Sequence, residues 1–298
     1  MNHDKCLQDL GQMIIDFCGL NYLDNLPSLA SKVLKRLSVL HMSYREYTEF
    51  LKRNQQEWNH LVELITNNET YFFREESQLH EVSNAVLPQF RNKPCIRIWS
   101  AACSTGEEPY SLAMTIAESG IVPLESVHII ATDINQKVLQ IARRGWYHKN
   151  SLSFRRTPKE MLDKYFIPQE EGYQIKNCIK DRIEFRYLNL LHDEDVAAVD
   201  KVDIIFCRNV LIYFDSATSR RVIAKLYNRL QPGGFLFLGH AETITGMNND
   251  FETILARSTF YYRKRGVESS PILKTPAFRY GHHKEAKLFE SVWSADRR

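Results

Sequence analysis

The hydrophobic pattern of the chain changes once, near residue 66. Before that point apolar residues recur at helical spacing, for example at Leu10, Met13, Ile14 and Phe17, which is the pattern of one buried helix face. Further segments with the same spacing follow, and no run alternates apolar and polar residues as a strand would. The sequence therefore predicts a small all-α N-terminal domain, which together with its linker covers residues 1–75.

Beyond the linker, strand-like and helix-like segments alternate. Short apolar runs at 96–100, 127–132 and 202–207 are each followed by a helix-like segment, and this alternation is typical of a parallel sheet covered by helices. A strand at 235–238 and an antiparallel edge strand at 260–262 complete the pattern. The fold class is therefore α/β, with the sheet domain over residues 76–265.

The alternation is interrupted between residues 150 and 187. There the helix-like stretch PKEMLDKYF is followed by two short segments of period-two patterning, at 172–176 and 182–187, which are typical of paired strands. We expect an inserted β-subdomain over these residues, with antiparallel strands of its own.

The first apolar strand leads into a turn of small residues within the sequence IRIWSAACSTGEE. Gly106 is the only glycine in that turn, and a helix begins directly after it with Glu107, Glu108 and Pro109. A glycine turn between strand and helix lets a ligand approach the backbone, but the glycine-rich loop that packs on a pyrophosphate is missing. The turn favours an adenosine-containing ligand without phosphates, and a purely structural crossover is the alternative.

Further candidate ligand-binding residues, most of them polar, follow the other strands of the predicted sheet. Asp133 ends the second strand, Asn189 and Leu190 follow a later one, and Arg208 and Asn209 come directly after the 202–207 run. The carboxyl ends of parallel strands meet at one edge of the sheet, where open α/β folds bind their ligands. An acidic residue after the second strand typically holds a ribose hydroxyl pair. We predict this role for Asp133, with a plain helix cap as the alternative.

The linker contains the unusual sequence TNNETYFFR at residues 66–74. Its three consecutive aromatic residues, Tyr71, Phe72 and Phe73, cannot all face one core, so we expect at least one to line a cleft or a domain boundary. Arg74 would then lie beside an apolar surface, where a guanidinium binds a carboxylate more strongly than in open water. A linker that only seals the two domains together is the alternative.

The second predicted helix carries Lys32, Lys35 and Arg36 at positions i, i+3 and i+4. This spacing places the three cations on one face of the helix. The face is either a solvated surface or a docking surface for an acidic helix or another anionic partner.

Composition narrows the class of protein. The 298 residues carry a net charge of +3, which is too small to argue for nucleic-acid binding by itself. The six cysteines form no CxxC pair, as is typical of reduced thiols in a cytosolic protein. No apolar run approaches the roughly 18 residues of a membrane span, and the N-terminus lacks a signal-peptide pattern. We expect a cytoplasmic protein without a metal site and with a flexible tail over residues 266–298.

Five motifs taken together resemble the chemotaxis receptor methyltransferases of the CheR type. They are NETYFFR, WSAACSTGEEPYSLAM, ATDINQKVLQIARRGWY, FCRNVLIYF and LFLGHAE, in that order, and the resemblance covers about residues 5–263. It implies a class I methyltransferase sheet of the Rossmann-like type, a helical N-terminal domain and an inserted antiparallel β-subdomain. It also implies methyl transfer from S-adenosylmethionine to glutamate side chains of chemoreceptors, with S-adenosylhomocysteine as the product.

The resemblance implies a cofactor site built from both domains. By their positions in the motifs, the cofactor-binding residues would be Asn68, Thr70, Arg74, Glu107, Asp133, Asn189, Leu190, Arg208 and Asn209. Within this set, Glu107 would lie beside the methionine part of the cofactor and Asp133 would hold its ribose. Asn189 and Leu190 would flank the adenine.

Arg74 and Tyr213 are the residues that the resemblance implies for catalysis. A glutamate side chain has a reference pKa of about 4.3, so at neutral pH it is already an anion and needs no general base. The motifs accordingly contain no Ser/His/Asp or Cys/His constellation. Arg74 would neutralise and orient the substrate carboxylate, and Tyr213 would lie close to the transferred methyl group.

The resemblance also gives the cationic helix face a partner, namely the acidic methylation helices of a chemoreceptor. In family members that tether to a receptor's C-terminal pentapeptide, the β-subdomain carries a glycine-rich loop. The corresponding stretch here, FIPQEEGYQI, has only Gly172. Docking through the N-terminal domain is therefore favoured over tethering, and we expect a monomer.

Three other functions are alternatives for this sequence. A nucleic-acid base methyltransferase would need a base-flipping site and a stronger positive field, and CRNVLIYF lacks the Asn/Asp-Pro-Pro-aromatic signature of amino methylation. A dinucleotide oxidoreductase is disfavoured by the single-glycine turn. A catalytically idle regulator that binds the cofactor or a second messenger is the third, and the intact Arg74, Asp133, Arg208 and Tyr213 argue against it.

Overall fold

A computed structural model describes residues 3–244, 246–247 and 250–266. It begins with four helices, α1 (His3–Cys18), α2 (Leu26–Leu40), α3 (Tyr44–Arg53) and α4 (Gln55–Ile65). Polar side chains begin three of them: Asn25 caps α2, Ser43 forms a capping box with Glu46 on α3, and Asn54 caps α4. Each cap satisfies backbone N–H groups that a helix start leaves without a partner. The predicted helical character of this region is confirmed.

The four helices pack around a core of their own. Its buried members recur at helical spacing and include Leu10, Ile14, Leu29, Val33, Leu37, Tyr47, Leu51, Leu61 and Ile65. Each helix therefore buries one face and leaves the opposite face in water. This core is separate from the two that cover the faces of the sheet.

Ten strands follow in the described part of the chain. They are β1 (Ile96–Ala101), β2 (Val127–Asp133), β3 (Trp146–His148), β4 (Phe166–Pro168), β5 (Gly172–Ile175), β6 (Ile183–Tyr187), β7 (Val202–Cys207), β8 (Leu230–Leu238), β9 (Phe251–Leu255) and β10 (Phe260–Lys264). Seven of them form one sheet in the order β6-β2-β1-β7-β8-β10-β9. Strands β6, β2, β1, β7 and β8 run parallel, whereas β10 is antiparallel to β8 and to β9.

Helices cover both faces of this sheet. Those after the linker are α5 (Glu76–Glu81), α6 (Glu107–Ser119), α7 (Gln136–Arg144), α8 (Lys159–Tyr165), α9 (Asn177–Lys180), α10 (Asp193–Ala197) and α11 (Ser216–Arg229). Leu112 of α6 packs in the same core as Phe206 of β7, and Val222 of α11 packs with the adjacent Ile205 on the opposite face. Because both faces are covered, the central strands are continuous apolar runs. The predicted α/β fold with a Rossmann-like sheet is confirmed.

Strands β3, β5 and β4 form a separate antiparallel sheet of three strands. At Gly172 a Cβ would lie 2.3 Å from the backbone oxygen of Tyr147, so a side chain has no room where β5 passes β3. The predicted antiparallel subdomain is present, but it begins earlier than residue 150, because β3 lies at 146–148.

Two strands differ from their prediction. The segment at 182–187 was expected in the inserted subdomain, but Ile183–Tyr187 pairs parallel with β2 in the main sheet. Period-two patterning identifies a strand and does not specify which sheet it joins. The strand at 260–262 is antiparallel as predicted, but β9 lies outside it and forms the edge.

Two further points concern the limits of the chain. Within the described residues, no helix combines the length and the apolar character that crossing a bilayer requires. The tail predicted to be flexible lies, after Gly266, outside the described residues.

Candidate active site

A cleft lies at the carboxyl edge of the main sheet, beyond the ends of β1, β2 and β7. It encloses about 960 Å³ of empty space that includes open solvent. Cys18, Leu20 and Thr66 of the helical region form one wall. The predicted site residues that line it are Asn68, Thr70, Arg74, Asp133, Asn189, Leu190, Arg208, Asn209 and Tyr213.

The turn after β1 forms the floor of the cleft with an unusual backbone. Ala102 and Ser104 have left-handed φ angles of 67° and 51°, and Gly106 has a φ of 97°. A Cβ on Gly106 would lie 2.9 Å from the Cβ of Ala142, so glycine is required for close packing between α6 and α7. Non-glycine residues in this region cost about 1–3 kcal/mol each and concentrate at functional sites.

Asp133 is held at the end of β2 by backbone groups. Its carboxylate accepts hydrogen bonds from the Ser104 N–H at 2.8 Å and the Asn135 N–H at 2.9 Å. Burial raises the pKa of Asp133, although these backbone hydrogen bonds oppose the shift. The carboxylate has lone pairs beyond those two bonds and can accept further hydrogen bonds from hydroxyl groups.

Asn189 and Leu190 follow β6 and form the opposite end of the cleft. The Asn189 side chain is buried, and its Nδ2 donates to the backbone oxygen of Phe17 at 2.6 Å. Lys225 of α11 donates to the backbone oxygens of Leu190 and Leu191. The loop is therefore fixed from both sides, by the helical region and by α11.

The 66–74 segment crosses the cleft between the helical region and the sheet. Phe72 and Phe73 are buried in the sheet core, whereas Tyr71 stays partly exposed beneath the Arg155 guanidinium, 3.9 Å from its ring centre. Of the three aromatic residues, Tyr71 is thus the one that is not buried. Arg74 lies 5.7 Å from the same ring and donates to the backbone oxygen of Glu69 at 3.1 Å.

Arg208 is a buried residue whose guanidinium nitrogens each donate to a group of the protein. Its carboxylate partners are Glu75 and Glu108, each at 3.2 Å, and it also donates to the backbone oxygen of Arg74 at 2.6 Å. This side chain therefore fixes the segment that carries Arg74.

Glu108, and not Glu107, faces the cleft. The Glu107 carboxylate is buried on the side of the inserted subdomain, where it accepts from Thr105 at 2.6 Å and Ser153 at 2.7 Å. Burial raises its pKa. Glu108 lines the cleft, accepts from Ser100 at 2.7 Å and also has a pKa raised by burial. The structure thus does not place Glu107 where the motif implied.

Asn209 and Tyr213 lie on the loop after β7. Asn209 has a left-handed φ of 58°. The Tyr213 hydroxyl accepts a hydrogen bond from Asn67 Nδ2 at 3.0 Å, and its backbone oxygen accepts from the Asn21 N–H at 3.2 Å. Tyr213 is therefore held by the linker and by the helical region together.

The three cations of α2 do not form one free face. Arg36 makes two hydrogen bonds to the buried Glu57, at 2.8 and 2.6 Å, and Tyr47 donates to the same carboxylate at 2.8 Å. Lys32 donates to the Leu64 backbone oxygen at 3.4 Å, and Lys35 is exposed. Arg36 is thus engaged inside the helical region, which leaves Lys32 and Lys35 as the outward cations.

Sequence reasoning missed several lining residues. Cys18 and Leu20 gave no signal because they reach the cleft through packing of distant segments. Glu108 was an equal candidate for the carboxylate that faces the cleft. It follows Glu107 directly at the helix start, and only one of two successive residues can face the sheet edge.

The chemistry of the lining fits an adenosyl ligand. Leu190, Ile134 and Phe214 offer apolar surface for a flat ring, and Asp133 offers a carboxylate for hydroxyl groups. Among the described residues that line the cleft there is no histidine, and burial raises the pKa of the Cys103 thiol. A protonated thiol is a poor nucleophile, so covalent catalysis through this cysteine is disfavoured.

The family model "CheR methyltransferase, SAM binding domain" matches residues 68–260. Chemotaxis protein methyltransferase 2 of Vibrio cholerae is 38% identical over 78% of this chain and 83% of its own length. Chemotaxis protein methyltransferase Cher2 of Pseudomonas putida is 34% identical over 83% and 94%, respectively. A chemotaxis protein methyltransferase of Vibrio parahaemolyticus is 33% identical over 87% and 97%.

These relatives span nearly the same length as this chain, and the matched family model includes every strand end that forms the cleft. The adenosyl ligand that the cleft fits is the cofactor named in the family model. The chain therefore belongs to the CheR methyltransferase family and is an S-adenosylmethionine-dependent methyltransferase.

Proposed function

We propose that this protein transfers a methyl group from S-adenosylmethionine to glutamate side chains of chemoreceptors and forms glutamate methyl esters. The observation that carries the proposal is the convergence of Arg74 and Tyr213, from two distant segments, on a cleft of the matching cofactor-binding family. Relatives named chemotaxis protein methyltransferases support the choice of substrate. No feature of the site favours an idle regulator.

The residues proposed to hold the cofactor come from every wall of the cleft. Asp133 accepts from the ribose hydroxyls, and Leu190 with Asn189 borders the adenine. Asn68, Thr70 and Asn209 contribute polar groups along the same cleft. We assign to Glu108 the place beside the methionine part, because its carboxylate faces the cleft and that of Glu107 does not.

The reaction requires little proton transfer by the protein. The cofactor supplies a methyl group on a positively charged sulfur, which is already electrophilic when it binds. The substrate glutamate has a reference pKa of about 4.3 and is an anion at neutral pH. The protein must therefore remove water from the carboxylate and hold one oxygen in line with the methyl carbon, roughly 3 Å away.

Arg74 and Tyr213 are proposed for this positioning. Arg74 neutralises the incoming carboxylate while it lies beside the apolar ring of Tyr71, where an ion pair is stronger than in open water. Tyr213, fixed by Asn67, sets the direction of approach. Since a carboxylate bound too tightly would be stabilised in its ground state, the contact must be stronger in the transition state.

We propose that the receptor's acidic helices dock on the outward cations of α2, Lys32 and Lys35, with Arg36 supporting that helix from within through Glu57. Tethering to a receptor pentapeptide stays disfavoured, as does any role for nucleic acid. The monomeric state, the cytoplasmic location and the domain boundaries at residues 75 and 265 stay predictions.

Incubation with labelled S-adenosylmethionine and receptor cytoplasmic fragments tests the proposal. The expected result is base-labile label on receptor glutamates, because a methyl ester hydrolyses in base. Label that resists base, label on added nucleic acid, or no label at all would each contradict it.

A further inference from the structure

The carboxylate of Glu242 accepts hydrogen bonds from four backbone N–H groups. Its Oε1 accepts from Leu211 at 2.7 Å and Ile212 at 3.3 Å. Its Oε2 accepts from Gly239 at 2.7 Å and Asn209 at 2.8 Å. The side chain is buried, with 4% exposure, and within the described residues its charge is met by these N–H groups rather than by a cationic side chain. A buried carboxylate with this many donors holds them firmly, because losing it would leave each donor without a partner.

The four donors belong to two loops that come from different strands. Asn209, Leu211 and Ile212 follow β7, and Gly239 follows β8. At Gly239 a Cβ would lie 2.6 Å from Asn209 Nδ2, so the two loops touch without room for a side chain. Glu242 therefore joins the ends of two adjacent strands at the carboxyl edge.

The loop after β7 needs such an anchor. Asn209 is held at a left-handed φ of 58°, a conformation that non-glycine residues adopt only when surrounding contacts enforce it. Leu211–Tyr213 then form a short 3₁₀ turn that presents Tyr213 to the cleft. Three of the four hydrogen bonds to Glu242 lie on this short stretch.

We propose that Glu242 is a positioning residue for methyl transfer, which acts through the loop that carries Asn209 and Tyr213. Glu242 does not line the cleft itself. Its carboxylate fixes the backbone on which Tyr213 stands, and Tyr213 meets Asn67 from the linker. The inference rests on the proposed function only in the role given to Tyr213.

Asp203 offers a matched control for a purely structural role. It is a buried carboxylate that accepts from the Arg97 N–H at 2.9 Å and pairs with Lys93. Asp203 lies near the amino end of β7, at the opposite edge from the cleft. Removal of its charge affects stability without reaching the loop after β7.

The test compares Glu242→Gln with Asp203→Asn in the full-length protein. Glutamine keeps the size of the side chain, but its NH₂ group cannot accept from the N–H groups that one carboxylate oxygen now serves. For Glu242→Gln we expect amide hydrogen exchange at 209–212 to rise about tenfold or more, since exchange reports local opening. We expect Asp203→Asn to leave that exchange unchanged and to accelerate it around Arg97.

Kinetics provide the second measurement. A displaced catalytic group can cost about 100-fold in rate, so we expect Glu242→Gln to lower kcat between tenfold and that value. Affinity for S-adenosylhomocysteine, measured by calorimetry, should fall by no more than about threefold, because Asn209 is the single proposed cofactor-binding residue on this loop, while Asp133 and Leu190 stay in place. In a Tyr213→Phe background the same substitution should lower kcat by less than about threefold, since coupled residues are non-additive.

The outcomes separate this inference from the proposed function. Unchanged exchange at 209–212 in Glu242→Gln would overturn the inference whatever the substrate is. Equal loss of kcat with and without the Tyr213 hydroxyl would also overturn it. A wild-type protein that fails to label receptor fragments would count against the proposed function, and the exchange measurement would still decide the role of Glu242.

Discussion

Glu57 in the helical region and Asp133 in the cleft are both buried carboxylates, but their surroundings differ. Burial acts to raise the pKa of Glu57, yet hydrogen bonds from Arg36 and Tyr47 outweigh it and the pKa is lowered. Asp133 receives hydrogen bonds from neutral backbone N–H groups, and burial raises its pKa. The helical region uses its carboxylate to hold three helices together, whereas the cleft keeps one that can still accept from a ligand.

The backbone shows the same contrast. Among the described non-glycine residues of the helical region, His41 alone has a left-handed conformation, and it ends α2. Around the cleft there are five such residues, Phe73, Glu75, Ala102, Ser104 and Asn209. Each of these residues costs about 1–3 kcal/mol. The backbone around the cleft therefore lowers the stability of the fold more than the backbone of the helical region does.

The largest effect is expected from Arg74→Ala. The rate of methyl transfer to receptor fragments should fall about 100-fold, as for loss of one group that stabilises transition-state charge. Affinity for S-adenosylhomocysteine should change by less than about threefold, because the cofactor retains its other contacts. The measurements are steady-state kinetics and calorimetry.

Arg155→Ala is the control for Arg74, since Arg155 contacts the same Tyr71 ring from the exposed side. It should retain most of the activity. If Arg74→Ala instead abolishes cofactor binding, Arg74 is a cofactor residue and not the group that orients the substrate.

The next largest effect is expected from breaking the ion pair between Arg36 and Glu57 in the helical region. Arg36→Met leaves Glu57 buried without its cation, and we expect a loss of about 2–3 kcal/mol in the free energy of unfolding. This is below the usual cost of a broken buried pair, because the Arg36 side chain is 26% exposed. Urea unfolding measures it, with Lys35→Met on the same helix as the control.

The stability loss of Arg36→Met should depend on pH in a defined direction. The pair lowers the pKa of Glu57, so its stabilisation is present above the ordinary value of 4.5 and is lost as the pH falls. The deficit of Arg36→Met should therefore shrink below that pH. A deficit that stays constant into acid would show that packing, rather than charge, is the cause.

Asp133→Asn should weaken binding of S-adenosylhomocysteine about tenfold, since an amide offers one acceptor oxygen where the carboxylate offers two. The pKa of Asp133 is raised, so wild-type affinity should decrease on acidification at a pH above the ordinary value of 3.8, whereas the variant should show no such decrease. Asp203→Asn is the control. Equal affinity of wild type and variant at neutral pH would remove Asp133 from the ribose site.

The smallest effect concerns Glu107→Gln. Because burial raises the pKa of Glu107, the ionised group destabilises the fold, and the neutral variant should be more stable at neutral pH. The sign follows from linkage: wild-type stability relative to the variant is greatest in acid and declines as the pH rises through the raised pKa. The measurement is thermal unfolding across pH, with Glu160→Gln at an exposed position as the control. The same pH dependence in both variants would contradict the prediction.

The position of the cleft could be predicted from sequence because it follows from local pattern. The runs that became β1, β2 and β7 are mostly apolar and each is followed by a helix-like segment, and the edge rule then places Asp133, Arg208 and Asn209 together. Local pattern was also enough for α1 to α4, where caps and spacing agree.

The remainder depends on contacts between distant segments. Arg36 is paired because α4 places Glu57 opposite it, 21 residues away. The strand at 182–187 joins the main sheet by pairing with β2. The period of its apolar residues does not specify that partner. Whether Glu107 or Glu108 faces the cleft depends on the rotation of α6, which the left-handed Gly106 and its packing on Ala142 determine.

The wall that Cys18 and Leu20 contribute to the cleft has an evolutionary consequence. With the Asn189 amide bonded to Phe17, the helical region cannot be exchanged between relatives as an independent module without disturbing the cleft. Under the proposed docking on α2, new receptor preferences arise by point changes on the solvent side of that helix, and a chimaera joined at the linker should inherit a damaged pocket together with its new specificity.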